Sequence, residues 1–379
     1  MTFKHLWKRF IDRYLSDEEA LVLGGMLVLG FAIIIFFGQM LAPFFTALVF
    51  AFLLQGVVRW LERLGLPRLP AVCLVLLMFV GVMLFFALII FPMVWDQFAR
   101  LVQGLPSVLY RTQALLEELR ARYPSLVTPD QMQHLINTAS NEATQLGRRV
   151  VSLSLNSLMG LLSVIIYLVL VPILVFFMLK DRERLIGFFT SLLPKRRTLM
   201  TRVWLEMNDQ IANFIRGKFI EIMIVGSVSF ITFWALGLPY AMLLGIVVGL
   251  SVLVPYIGAA AATLPVAASA GLHFGFGEQF VYVLLAYAVI QALDGNVLVT
   301  LLFSEVVNLH PVAIILAVLF FGGIWGFWGI FFAIPLATLI KSLMFAWPRG
   351  TANRDQELRK AEAHPAAPER TSDGEKGAE

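Results

Sequence analysis

Charge is scarce in this chain. Only 14% of its 379 residues are Asp, Glu, Lys or Arg, whereas 59% are hydrophobic. Globular chains carry roughly 25% charged residues, so a water-soluble domain with an ordinary surface is excluded. Cysteine is scarcer still. Cys73 stands alone inside an apolar run, which rules out a disulfide framework and a thiolate metal cluster. No GxxxxGK[ST] phosphate loop, HExxH or GxSxG motif occurs. ATP hydrolysis, zinc proteolysis and serine hydrolysis therefore have no support. The net charge of +4 comes largely from basic loops, which act as topology signals and not as a nucleic-acid footprint. We expect no enzyme activity, no cofactor, no resident metal and no nucleic-acid partner.

What is present is apolar stretches of helix-spanning length. About 20 apolar residues cross a bilayer as a helix, and such runs recur along the chain. The fold class expected is all-α polytopic, with about eight membrane segments in a lipid bilayer. Lys4, Lys8, Arg9 and Arg13 precede the first run, but no small-residue cleavage site follows it. The expectation is an uncleaved first span with a cytoplasmic N-terminus.

Residues 1–94 divide into three spans, at 20–37, 44–58 and 71–94, the first broken by "GQMLAP" at 38–43. Residues 95–150 are more polar and read as a small extracytoplasmic helical insert. In "SVLYRTQALLEELRARY", Leu109, Leu116 and Leu119 share one face, with Arg120 and Arg122 opposite. The insert is either a pair of solvated amphipathic helices or a partner-binding module. Residues 151–180 hold a fourth span containing Pro172. Residues 181–212 form the most basic connection, which the positive-inside rule places in the cytoplasm; within it "LIGFFTSLL" suits an interfacial helix. Residues 213–346 form the core, and 347–379 a polar tail expected to be disordered.

Two stretches of the core are apolar but broken. One, 240–272, contains Pro255, Gly258 and Pro265; the other, 312–343, contains Gly322, Gly323, Gly326, Gly329 and Pro335. Their flanking prolines are 26 and 24 residues apart, as in a weak repeat. Each is either a single kinked span or a re-entrant hairpin. As hairpins they would be inverted copies, entering from opposite sides. Paired Gly/Pro-interrupted segments point to a transporter's binding site.

Between them runs "YVLLAYAVIQALDGNVLVTLL" (282–302), with Gln291, Asp294, Gly295 and Asn296 at its centre. A carboxylate at mid-membrane costs about 2.5–3.5 kcal/mol and marks function by default. Asp294 can bind Na⁺, carry a proton or accept hydrogen bonds from a polar solute. Gly295 permits local unwinding, while Gln291 and Asn296 supply donors and acceptors. The alternative role for Asp294 is to pair with Arg216 or Lys218 and lock helices together. Arg216 also suits snorkelling, and Lys218 with Glu221 suits an i,i+3 surface pair. Pro255, Tyr256 and Gly258 would form one hairpin tip, and Gly322 to Gly329 the other. Tyr256 suits either a ligand or a membrane interface. Glu305 and His310 follow the motif helix, and His310 before Pro311 suits either titration or a helix cap.

"VPYIGA" (254–259), "LDGNVL" (293–298), "NLHP" (308–311) and "FGGIWGFWGIFFAIPLATLIK" (321–341) resemble the signature segments of the AI-2E transporter family. "ALDGNVLVTLLFSEVVNLHP" is most like that family's PerM-type permeases. The similarity is densest over 214–347. It implies a bacterial inner-membrane secondary transporter of eight spans, homo-oligomeric, for a small polar solute or cation. Some relatives exchange Na⁺ or Li⁺ for H⁺. A broken-helix bundle would move, elevator-like, against an oligomeric scaffold. Thr300 departs from the proline that many relatives carry there, leaving the helix after the motif less obviously broken. A non-transporting scaffold or regulator is the competing reading.

Overall fold

The computed structural model describes residues 18–104, 157–191, 198–303 and 309–346, with isolated helical positions at 138, 141 and 145. The described residues are helical throughout, without a strand. Five helices are long and apolar enough to cross a membrane, and one bent pair adds a sixth. Their outward residues are large and apolar, with Leu77 72% and Val28 70% exposed. In water such faces would be untenable; against lipid they are the expected surface.

The first helix, α1 (Glu18–Phe37), ends at Gly38, where a turn leads into α2 (Ala42–Arg63) with Pro43 in its first turn. Gly38 leaves room for a ring. A Cβ there would lie 2.4 Å from the indole nitrogen of Trp325. α3 starts at Arg68, runs to Phe85, passes through a π turn at Phe86–Ile90 and stays helical to Gly104. The third span therefore does not stop at 94. Its hydrogen-bond ladder carries straight on into the more polar sequence. The rest of the expected insert lies outside the described residues, as does the tail beyond 346.

α4 (Ser157–Lys180) carries Pro172 in its interior, and α5 (Arg182–Ser191) turns away from it by 82°. Arg68 pins this corner. Its guanidinium donates to Glu183 at 2.8 Å and to the Leu179 carbonyl at 3.1 Å. Ala47, Ala51, Val58, Val72, Val75, Phe79, Val171 and Val175 form one buried cluster, which joins α2, α3 and α4. The opposite face of α2, through Phe45, Val49, Phe52 and Leu53, packs on a second cluster in the C-terminal half.

That half is organised by α6 (Thr198–Ala235), 38 residues long. It begins well before the expected residue 213 and absorbs the end of the basic connection. α7 (Ala241–Ser251) lies against it. Gly226, Gly245 and Gly249 allow the approach: a Cβ on Gly249 would sit 2.9 Å from the Cα of Gly226.

At Ser251 the chain turns sharply into α8 (Ile257–Phe274). Gly258 fits only without a side chain, since a Cβ would lie 1.8 Å from the Ser251 carbonyl oxygen. At the other end, the Ser269 hydroxyl donates to the Pro239 carbonyl at 2.9 Å, across 30 residues. α8 thus runs back along α7. The interior Pro265 does not part them.

α9 (Glu278–Leu293) leads into a π turn, Asp294–Leu298, and then α10 (Val299–Phe303). After α11 (Pro311–Trp325), Gly326 takes a positive φ of 61° and α12 (Phe327–Phe331) begins. α13 (Ala333–Ala346) returns against α11, burying Ala317, Val318, Phe321 and Ala333 together. Gly329 plays the part of Gly258, its Cβ position being 1.9 Å from the Phe321 carbonyl oxygen. Leu253 and Val254, at the first turn, pack on the clusters around α12 and α13, so the two turns meet.

Alanine at Gly258 or Gly329 forces carbonyl and methyl into one space. Each variant is expected to lower the thermal unfolding midpoint of the detergent-solubilised protein by several degrees. Gly56 sits mid-helix with nothing within 4 Å of its Cβ position, and Gly56→Ala should be neutral or stabilising by up to about 1 kcal/mol. Equal midpoints for all three variants would contradict the close packing.

Candidate functional site

The polar groups of the C-terminal half gather at the first turn. Val252 caps the end of α7, and its carbonyl has no helix to continue into. Lys218, on α6, fills that vacancy by donating its ammonium to the Val252 oxygen at 2.9 Å. The same ammonium lies 2.7 Å from Glu221 Oε2 and 5.1 Å from the centroid of the Phe303 ring. Gly217 is what admits Phe303, because a Cβ there would lie 2.7 Å from the ring.

Lys218 and Glu221 were expected as a surface pair. They do pair at i,i+3, but their side chains are only 6% and 0% exposed. The turn at Val252 and the Phe303 ring cover them. A buried pair gains little net stability, because desolvating both ions offsets most of their attraction. Removing one partner is different, since it leaves a naked buried charge.

Asp294 faces this pair from the π turn, which packs on α6. Its carboxylate lies within electrostatic range of the Lys218–Glu221 pair. It is half-buried, makes no ion pair within 4.0 Å among the described residues, and its Oδ1 is buried without a hydrogen-bond partner. Glu221 Oε1 is likewise without a donor among the described residues. The alternative role, a lock between Asp294 and a cation, is not formed among the described residues, since Lys218 is bound to Glu221 and the Val252 carbonyl. Arg216, half-buried on α6, joins none of the ion pairs among the described residues.

Gln291 is placed differently from Asp294. Its amide donates to the Tyr287 hydroxyl at 2.9 Å, and that hydroxyl donates to the Ala259 carbonyl at 2.6 Å. Tyr287 is buried and ties the motif helix to the start of α8. Sequence reasoning passed over it. The signal was available, because 287, 291 and 294 stand four and three residues apart and share one helical face. Asn296 is exposed and donates to the Ala292 carbonyl at 2.8 Å, so it serves the backbone beside the π turn. Thr300 donates to the Asn296 carbonyl at 2.9 Å, and the helix continues through it. Gly295 is open, with nothing within 4 Å of its Cβ position.

Tyr256, between Pro255 and the buried Gly258, adopts φ 63° and ψ −50°, and the Ile257 amide donates to the Pro255 carbonyl at 2.7 Å. This is a tight γ-type turn, strained for a residue with a side chain. Such strain costs on the order of 1–3 kcal/mol and persists only where surrounding contacts enforce it. The Tyr256 side chain is 60% exposed.

The second turn is dressed differently. Trp325, Trp328, Phe45 and Phe332 stack and abut around it. Gly322 packs under Ile330, whereas Gly323 is open and exposed. His310 is an N-cap, its Nδ1 accepting from the Val312 amide at 3.3 Å. Glu305 lies outside the described residues.

Lys218→Met strands Glu221 and should cost roughly 3–5 kcal/mol. The double replacement Lys218→Met/Glu221→Met removes the stranded charge and should recover most of the loss. Thermal unfolding of both variants in detergent checks this ordering, and a double variant no more stable than the single would contradict it.

A sequence profile of the AI-2E family transporter matches residues 25–349. The chain is 46% identical to the Escherichia coli K12 protein named "Putative permease PerM" over 338 residues, 89% of this chain and 96% of that one. It is 26% identical to the Bacillus subtilis "Putative transport protein YueF", covering 88% and 91% of the two chains. It is also 26% identical to the Escherichia coli K12 "AI-2 transport protein TqsA", covering 86% and 92%. With an apolar helical architecture, a buried polar cluster at a chain reversal, and a family match over most of its length, this chain belongs to the AI-2E family of transporters.

Proposed function

We propose that the protein is a secondary transporter that moves a small polar solute or signal molecule through a polar site between the first turn and the Asp294 π turn, coupled to an H⁺ or Na⁺ gradient. The observation that carries this reading is Asp294 Oδ1: a buried, unpartnered carboxylate oxygen beside a buried Lys218–Glu221 pair, in a bundle of apolar helices. Structural economy alone would fill that space with leucine. Gln291, Tyr256 and the π-turn glycine offer further polar surface to a solute, and Asn296, Pro255, Gly258, Gly322 and Gly323 shape the breaks around it. A signal molecule as cargo is supported by the relative named for AI-2 transport.

In this reading α7–α8 and α11–α13 are re-entrant hairpins, the first entering from outside and the second from the cytoplasm. The reversals at Gly258 and Gly329 support this, as does the Ser269–Pro239 bond. Counting each hairpin as one segment gives eight, with both termini cytoplasmic in a bacterial inner membrane. α5, bent away from α4, lies in the inner interface. The α2–α4 cluster serves as the oligomeric scaffold, against which the C-terminal half moves in an elevator-like cycle. Exchange of Na⁺ or Li⁺ for H⁺ is the second reading, favoured by the unpartnered Asp294 oxygen beside the Lys218–Glu221 pair.

The test is flux in proteoliposomes with an imposed pH or Na⁺ gradient, against a panel of polar solutes and cations. Wild type should move at least one of them, and Asp294→Asn, nearly isosteric, should abolish the movement. Equal flux in both proteins would remove Asp294 from the mechanism. Silence across the panel would favour a non-transporting scaffold.

A further inference from the structure

We propose that Lys218 is a tethered counter-cation that latches the first hairpin, and that one mobile monovalent cation, a proton or an alkali-metal ion, opens the latch by displacing it. This inference rests on the transporter reading and adds how the site is gated.

The first observation is the way Lys218 is held. Its ammonium contacts a carboxylate oxygen at 2.7 Å, a backbone carbonyl at 2.9 Å and an aromatic face at 5.1 Å. These are the partners a small monovalent cation takes when it sheds water. The ammonium occupies a seat that a free cation can contest.

The second observation is a charge imbalance. The buried cluster has two carboxylates, Glu221 and Asp294, and one ammonium. Glu221 Oε1 and Asp294 Oδ1 are buried and unpartnered among the described residues, and Glu221 is fully buried. Lys218 is bound to Glu221, and Asp294 has no cation within 4.0 Å among the described residues. The cluster therefore offers a carboxylate to a further monovalent cation. Nearby, Tyr287 on α9 is neutral and hydrogen-bonded to Gln291 and Ala259, Tyr256 at the turn is exposed, and Arg216, just before Gly217 on α6, joins none of the ion pairs among the described residues.

The third observation says what displacement does. The Val252 carbonyl belongs to the turn that Tyr256 strains, with φ at 63°. Lys218 grips that turn from α6 and Tyr287 grips it from α9, through Ala259. Of the two grips only Lys218 carries charge. When a mobile cation neutralises Glu221, the ammonium loses the carboxylate that fixes it and is drawn towards Asp294, the grip on Val252 goes, and the strained turn relaxes outward. The second hairpin has aromatic packing at its turn and no such charged grip among the described residues, so the two gates differ in kind.

The test is cysteine accessibility in the full-length protein in proteoliposomes. Cys73 is exposed and is first replaced by Ser. Val252, whose side chain is 7% exposed, becomes the single cysteine. With the latch closed, Val252→Cys should react slowly with a membrane-permeant maleimide. Na⁺ or Li⁺ at fixed pH, or acid in N-methylglucamine buffer, should raise the rate by about tenfold, within the usual range of coupling between sites. A rise with alkali metal alone identifies a metal ion as the displacing charge, and a rise with acid alone identifies a proton. Lys218→Met should react fast under every condition. Should that variant fail to insert, Glu221→Gln serves instead, with the same loss of cation dependence. Rates insensitive to both ions and pH, or cation dependence that survives in these variants, would overturn the latch. Flux measured on the same vesicles separates this from failure of transport itself.

Discussion

A chain in a bilayer has no water with which to satisfy its backbone, so every carbonyl freed by a helix break must find a donor inside the protein. Much of the C-terminal half follows from that constraint. At the end of α7, Val252 gives its carbonyl to Lys218. At the start of α7, the Leu243 amide is taken by Gln97 on the extension of α3, and the Pro239 carbonyl by Ser269. Beside the π turn, Ala292 is served by Asn296. Each break is thereby fastened by a side chain from another position, and mostly from another helix. Broken helices, which would be liabilities in isolation, become the points at which distant elements are tied.

The two hairpins satisfy the same constraint by different means. The first closes on polar groups: an ammonium paired with a carboxylate holds its turn from one side and a phenol from the other. The second closes on Trp325, Trp328, Phe45 and Phe332, where dispersion does the holding and Gly38 gives the ring its space. Polar closure responds to charge and hydration. Aromatic closure responds to shape. The repeat seen in the proline spacing is thus a repeat of backbone, on which two unlike chemistries were built.

The membrane class, the breaks and the isolated carboxylate of Asp294 were legible in the sequence because each is a local property. Apolar runs have length, glycines and prolines interrupt them, and a lone carboxylate stands out. Three things were not legible. α6 begins at Thr198 and α3 runs on to Gly104 because a helix needs only its own hydrogen bonds to continue, whereas an apolar run marks only the part that touches lipid. The depth of Lys218 and Glu221 depends on a turn 34 residues away folding over them. Tyr287 was hidden by its company, since a tyrosine amid leucines looks like an interfacial anchor until its hydroxyl is found on Ala259. In each case the missing information was tertiary.

The Lys218–Glu221 pair is also an argument about purpose. An apolar pair of similar volume would hold α6 against the turn at least as well, since desolvation consumes most of what a buried ion pair gains. Fastening alone therefore does not explain the charges. What charges have and methyl groups lack is an interaction that another ion can cancel. A fastening that an ion can cancel is one that an ion gradient can open. The unpartnered oxygen of Asp294 is the charge that the pair leaves uncompensated. Lys218 and Glu221 balance each other, while Asp294 has no cation within 4.0 Å among the described residues.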